Sequence, residues 1–116
     1  MSEPTVFTRI VQGEIPADVV FENERILAIT DIAPKAPVHL LVFPKTQEYP
    51  TVSALAAAEP ALLAEVVQVA QSLADLRSNG QFRLVFNSGE DAGQTVPHVH
   101  AHVLGGHQTE GSLATG

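Results

Sequence analysis

Apolar positions along the chain recur with two different periods. In Val6–Val11, the residues Val6, Phe7, Ile10 and Val11 fall at helical intervals, and Gly13 ends the run. Val19–Glu22 is a short β-prone run, Asn23-Glu24 makes a turn, and residues 25–30 follow as the second arm of a hairpin. Pro34 and Pro37 make residues 31–37 a loop. Residues 38–43 are almost wholly apolar, as in a strand covered on both faces, and Pro44 ends them. An alanine-rich run at 53–58 precedes the strongest pattern in the chain. From Pro60 to Asn79, the residues Leu62, Leu63, Val66, Val67, Ala70, Leu73 and Leu76 recur at spacings of three and four. They predict one wide apolar stripe over a helix of about five turns. Pro60 suits the first helical position, Arg77 the last turn, and Asn79-Gly80 the end. Residues 82–87 and 98–104 predict two more strands, separated by a polar loop at 88–95, and Gly105-Gly106 closes the last one. Segregated strands with one dominant helix predict an α+β fold with an antiparallel sheet.

Composition narrows the choice of function. A chain of 116 residues is one domain's worth, and 45% apolar with 16% charged residues is a globular composition. No repeat or linker divides it, so residues 1–106 are expected to form a single domain and 107–116 a small, polar tail. Thirteen Asp and Glu against six Lys and Arg give a formal charge of −7. That balance speaks against holding nucleic acid or an anionic membrane by charge. Cysteine is absent, which excludes disulfides, thiolate zinc sites and a catalytic thiol. The first fifteen residues carry Glu3, Arg9 and Glu14 with no apolar run of signal-peptide length, and no stretch approaches a membrane span. The expectation is a soluble, cytoplasmic protein.

Three of the five histidines, His98, His100 and His102, alternate in the last predicted strand. Alternate residues of a strand share one face, roughly 6.7 Å apart along it. The opposite face then carries Val99, Ala101 and Val103, which suits a core. Packing alone has no reason to choose three polar rings at this period. Two chemistries stay open on spacing alone. His-x-His on a strand supplies two ligands to zinc, although nothing in the spacing of Glu90, Asp91 or His39 recommends a third. The other is acid, base or nucleophile chemistry directed at phosphate. Asn87 and the Gly89–Gly93 loop with Thr95 offer neutral donors to an anion, which favours the second.

These residues resemble a known family. The stretch from Gln94 to Gly106, with His98, His100 and His102 separated by apolar residues, is similar to the histidine-triad signature. Asn87-x-Gly89-x-x-x-Gly93-Gln94 resembles the phosphate loop of that superfamily. Phe7-x-x-Ile10-x-x-Gly13-Glu14-Ile15-Pro16 and Asp31-Ile32-x-Pro34-x-Ala36-Pro37-x-His39 resemble its Hint branch of nucleoside phosphoramidases. The resemblance implies a five-stranded antiparallel sheet with one long and one short helix, paired in a homodimer. It implies a purine nucleotide substrate, a nucleoside 5′-phosphoramidate or related conjugate, cleaved through a nucleotidyl-histidine with no metal and no cofactor. His100 would be the nucleophile. His98 and His102 would flank it and bind phosphate oxygens, and His39 would join His98 in handling a proton. Asn87, Gly93, Gln94 and Thr95 would contact phosphate or the leaving group, and Asp31 the ribose. Val6, Phe7, Ile10, Ile29, Ile32 and Leu41 would wall the base. The retained third histidine speaks against the uridylyltransferase branch, where a Gln stands there. The chain departs from the Hint pattern in having His107-Gln108 after the glycine pair and no Trp, so the resemblance says nothing about the leaving group. Two rivals are a non-catalytic nucleotide-binding or regulatory module on the same fold, and a zinc-binding protein.

Overall fold

Thr5 opens the first helix. The computed structural model describes residues 3–107, and in it Thr5 is extended with its hydroxyl accepting the Thr8 N–H at 3.1 Å. This satisfies an amide that α1 (Val6–Val11) cannot pair itself. Asn23 Oδ1 accepts from the backbone N–H of Arg25 at 2.9 Å and of Ile26 at 2.8 Å. That local bridge turns β1 (Val19–Glu22) into β2 (Ile26–Thr30). β3 (Val38–Pro44) runs one residue farther than its apolar run predicts, with Pro44 paired opposite Ile26.

Two helices follow. Thr51 caps α2 (Val52–Ala58) by accepting the Ala54 N–H at 3.2 Å. Glu59 breaks the helical backbone, and Pro60 opens α3 (Pro60–Arg77) as its sequence predicts. α2 is therefore a helix in addition to the long and short ones expected. α3 buries Leu62, Val66, Val69, Ala70, Leu73 and Ala74, whereas Val67 is 38% and Leu76 83% exposed. The expected face is kept but its edges differ, with Val69 and Ala74 buried while Val67 and Leu76 lie outside. On a helical wheel those two lie roughly 80–100° to either side of the buried centre, where the sheet no longer reaches.

β4 (Phe82–Val85) and β5 (Ala101–Gly105) complete a sheet of order β1-β2-β3-β5-β4, antiparallel throughout. The fold is α+β with a five-stranded antiparallel sheet. Both last strands are shorter than expected. β4 stops before Asn87, and β5 begins after His98 and His100. Pro97 has no N–H to give to a ladder, and the Val99 N–H is taken by the Tyr49 carbonyl at 2.9 Å.

The sheet separates two apolar layers. Ile26, Ala28, Leu40, Val42, Val99, Ala101 and Val103 pack under α2 and α3. Leu27, Ile29, Leu41 and Phe43 pack against Phe7 of α1 on the other face. The chain leaves β5 at Gly106, where φ is 90° and a Cβ would come within 2.8 Å of Pro37, so only glycine fits. The expected tail beyond His107 lies outside the described residues. No described helix is long and apolar enough to cross a membrane.

Candidate functional site

Although β5 starts at Ala101, the alternation holds through the segment before it. Val99 and Ala101 face the helices, and His98, His100 and His102 are all buried on the opposite side of the sheet, at 0%, 7% and 4% exposure. His100 and His102 lie edge to face with centroids 5.2 Å apart, and Phe7 packs edge-on against both His98 and His100. His39, on β3, reaches the same row, its ring centroid 5.2 Å from that of His102.

Hydrogen bonds fix the tautomers when the rings are neutral. His100 Nδ1 lies 2.8 Å from the His98 carbonyl oxygen, which can only accept, so Nδ1 carries the hydrogen and Nε2 keeps its lone pair. His98 Nε2 donates to the Pro44 carbonyl at 2.7 Å, and its Nδ1 takes the Thr5 hydroxyl at 2.7 Å. The Lys35 backbone N–H donates to His39 Nδ1 at 2.9 Å, which puts the His39 hydrogen on Nε2. His39 Nε2 in turn lies 2.9 Å from His102 Nδ1 and 3.3 Å from Asp31 Oδ2. His102 therefore carries its own hydrogen on Nε2. That atom and Asn87 Nδ2 are buried without a hydrogen-bond partner among the described residues. Asn87 stands two residues past the Val85–His102 pair, on the side of His100.

Burial keeps these rings neutral. It pushes the pKa of His100 below the usual histidine value, against the opposing pull of the His98 carbonyl and Asp31. Burial also lowers His98, with the Pro44 carbonyl opposing, and lowers His39, with Asp31 opposing and Lys35 adding to the fall. His102 is brought down to about 4 by burial and by its neighbours His100 and His39.

Several expected roles change. His98 has both ring nitrogens bonded inside the protein and no exposure, so it cannot reach a phosphate oxygen or share a proton with His39. What it offers His100 is its carbonyl. The proton partner of His39 is His102. Gln94 is turned into its own loop: Oε1 accepts the Gly89 N–H at 2.8 Å, and Nε2 donates to the Pro50 and Val96 carbonyls at 2.6 and 2.9 Å. Its amide braces the loop and is not free for substrate. The Gly93 N–H is also taken, by the Glu90 carbonyl at 3.0 Å, within a short 3₁₀ turn (Glu90–Ala92). With the Gly89 N–H already bonded, neither glycine amide cradles an anion. Thr95 stays exposed on the loop. Asp31 Oδ1 accepts the Ala33 N–H at 2.7 Å, which sets its carboxylate beside His39.

The expected base wall is assembled in one place. Val6, Phe7, Ile10, Ile29, Ile32 and Leu41 line a cavity of about 300 Å³, with Asp31 at the side of the histidine row. Ile32 is 99% exposed and forms only the rim. Ile15, Pro16, Ala17, Asp18, Thr30 and Val96 complete the lining, and none of them was expected in the wall from the sequence. They come from loops and a strand end, where no periodicity marks a wall. Thr5 and the Lys35 N–H, which orient His98 and His39, were missed for a similar reason, since tertiary hydrogen bonds leave no trace in spacing.

Asp31, His39 and His102 bring one donor atom each to within 4.8 Å of one another, the arrangement a metal would need. Ligation through His39 Nε2 requires that atom to lose its hydrogen. The Lys35 N–H opposite Nδ1 blocks the tautomer that would release it. The cluster is built to hold a proton.

Comparison with known proteins agrees with this architecture. The HIT domain family model matches residues 12–109. An uncharacterised HIT-like protein of Synechocystis sp. is 46% identical over 107 residues, 91% of this chain and 93% of that protein. A purine nucleoside phosphoramidase of Escherichia coli is 36% identical over 108 residues, 91% of this chain and 90% of its own. The crystal structure of a HIT family hydrolase from Legionella pneumophila superimposes with a TM-score of 0.83 at 45% identity, covering 89% of this chain and 93% of that one. With the histidine row, its supporting strands and these matches together, the chain belongs to the HIT domain family.

Proposed function

We propose that the protein is a hydrolase of purine nucleoside 5′-phosphoramidates or related nucleotidyl conjugates, acting through a nucleotidyl-His100 intermediate. The observation that carries this is the state of His100. Its Nδ1–H is held by the His98 carbonyl, its pKa is lowered, and its Nε2 lone pair is left for attack. In the first step Nε2 bonds to phosphorus, the bond to the leaving amine breaks, and the amine takes the electron pair and a proton from solvent. Water then attacks the same phosphorus, the P–Nε2 bond breaks with its electron pair returning to Nε2, the water's proton passes to solvent, and His100 is restored. His102 Nε2–H and Asn87 Nδ2, buried and without a partner among the described residues, suit the charge that grows on phosphate oxygens. His39 and Asp31 hold the hydrogen behind His102. The purine sits in the apolar cavity, and Asp31 at its edge faces the ribose. The Escherichia coli relative, named as a purine nucleoside phosphoramidase, supports the choice of substrate. β4 is an edge strand, which supports pairing with a second copy into a homodimer.

The test is incubation with adenosine and guanosine phosphoramidates, acid quench and mass spectrometry. A nucleotidyl adduct on His100 and release of the monophosphate are expected. Tight binding of the monophosphate with no turnover would instead identify a non-catalytic nucleotide-binding module.

A further inference from the structure

One carboxylate on the cavity wall takes no part in the chemistry at phosphorus. Asp18 lies just before β1. Its backbone carbonyl accepts the Thr30 N–H at 3.0 Å, and its Oδ2 accepts the Thr30 hydroxyl at 3.3 Å. The first bond fixes the backbone and the second keeps the exposed side chain beside Thr30, and both residues are part of the cavity lining. Asp31, the other acid there, is bonded to the Ala33 N–H and to His39 on the histidine side of the cavity, where the ribose is placed. Most of the remaining wall is apolar, with Phe7, Ile10, Ile29 and Leu41 among its residues. Asp18 is therefore the carboxylate open to a flat ring that fills this space.

A carboxylate accepts hydrogen bonds and cannot donate them, and each oxygen has room for two. The ring edge that suits it carries adjacent donors. We infer that Asp18 selects guanine over adenine, which deepens the proposed nucleotide reading and rests on it. Guanine presents N1–H and the N2 amine side by side, one for each carboxylate oxygen. Adenine presents the N6 amine beside N1, which is an acceptor, so one hydrogen bond forms and one lone pair faces the carboxylate. Hypoxanthine keeps N1–H and lacks the N2 amine, which places it between the two.

The test measures calorimetric affinity for GMP, IMP and AMP, and kcat/KM on the corresponding phosphoramidates. Both are measured for the natural protein and for Asp18→Asn. The natural protein is expected to favour guanosine over adenosine by roughly tenfold, about 1.4 kcal/mol, with inosine between. Asn offers one donor and one acceptor, the match for an adenine edge, so Asp18→Asn is expected to reverse the order. A variant that merely loosened the fold would weaken all three nucleotides alike. Equal affinity for the three in the natural protein, or an order unchanged by Asp18→Asn, overturns the inference. Turnover without base preference sinks the inference alone. The expected affinity order without any turnover sinks the hydrolase reading and leaves the base contact standing. Absence of both binding and turnover sinks the two together.

Discussion

His100 and His98 look equivalent in the sequence and differ in what their atoms touch. His100 has one nitrogen held and one lone pair free; His98 has neither nitrogen free. His100→Ala is expected to lower turnover by roughly 10³-fold or more, the scale of a deleted nucleophile, while monophosphate affinity changes much less. His98→Ala keeps the backbone carbonyl that orients His100, but it strands the Pro44 carbonyl and leaves a cavity. Its expected signature is a loss of about 1–3 kcal/mol in urea unfolding with a smaller loss of turnover. Steady-state kinetics beside denaturation separates the two. Loss of turnover in His98→Ala equal to that in His100→Ala, at unchanged stability, would mean that the wrong ring has been named nucleophile. The pH profile follows from the same environment. Because burial lowers the pKa of His100, the neutral nucleophile persists below the usual value of 6.5. The acid limb of kcat/KM is therefore expected to fall below pH 6.5.

At the scale of elements, α3 gives the sharpest contrast between pattern and packing. Leu73 and Leu76 belong to the same stripe in the sequence, yet Leu73 is 3% exposed and Leu76 83%. Leu73→Ala is expected to cost about 2–5 kcal/mol and Leu76→Ala about 0.5 kcal/mol or less, measured by urea unfolding. The helix itself was legible because propensity, Pro60 and Asn79-Gly80 all act locally. How wide its buried face is was not, because that depends on where the sheet ends beneath it. The same division runs through the site. Alternation correctly put Val99, Ala101 and Val103 in the core and three histidines opposite them. It did not show that the ladder starts only at Ala101, since the Tyr49 carbonyl that takes the Val99 N–H comes from a distant loop. The loop glycines with Thr95 read as an anion cradle because their chemistry allows it, and the resemblance adds Gln94. Bonds within the loop and to the Pro50 carbonyl use the capacity of the glycine amides and Gln94 instead.

The molecule as a whole keeps four histidines buried and uncharged on one face of its sheet. Each has a folded pKa below its unfolded value, so between the two the unfolded chain binds more protons. Stability is therefore fully present above pH 6.5 and is lost as pH falls toward about 4, the value of His102. Urea midpoints taken across that window are expected to drop steadily, and a flat profile would contradict neutral burial of the row. One bond described above carries a different kind of consequence. Thr5 caps the first helix and also holds His98 Nδ1, across 93 residues of sequence. On the ribosome, the cavity wall and the hydroxyl that orients the triad emerge long before the triad itself. No N-terminal fragment that lacks β5 can assemble the histidine row, because β5 is the strand that inserts between β3 and β4.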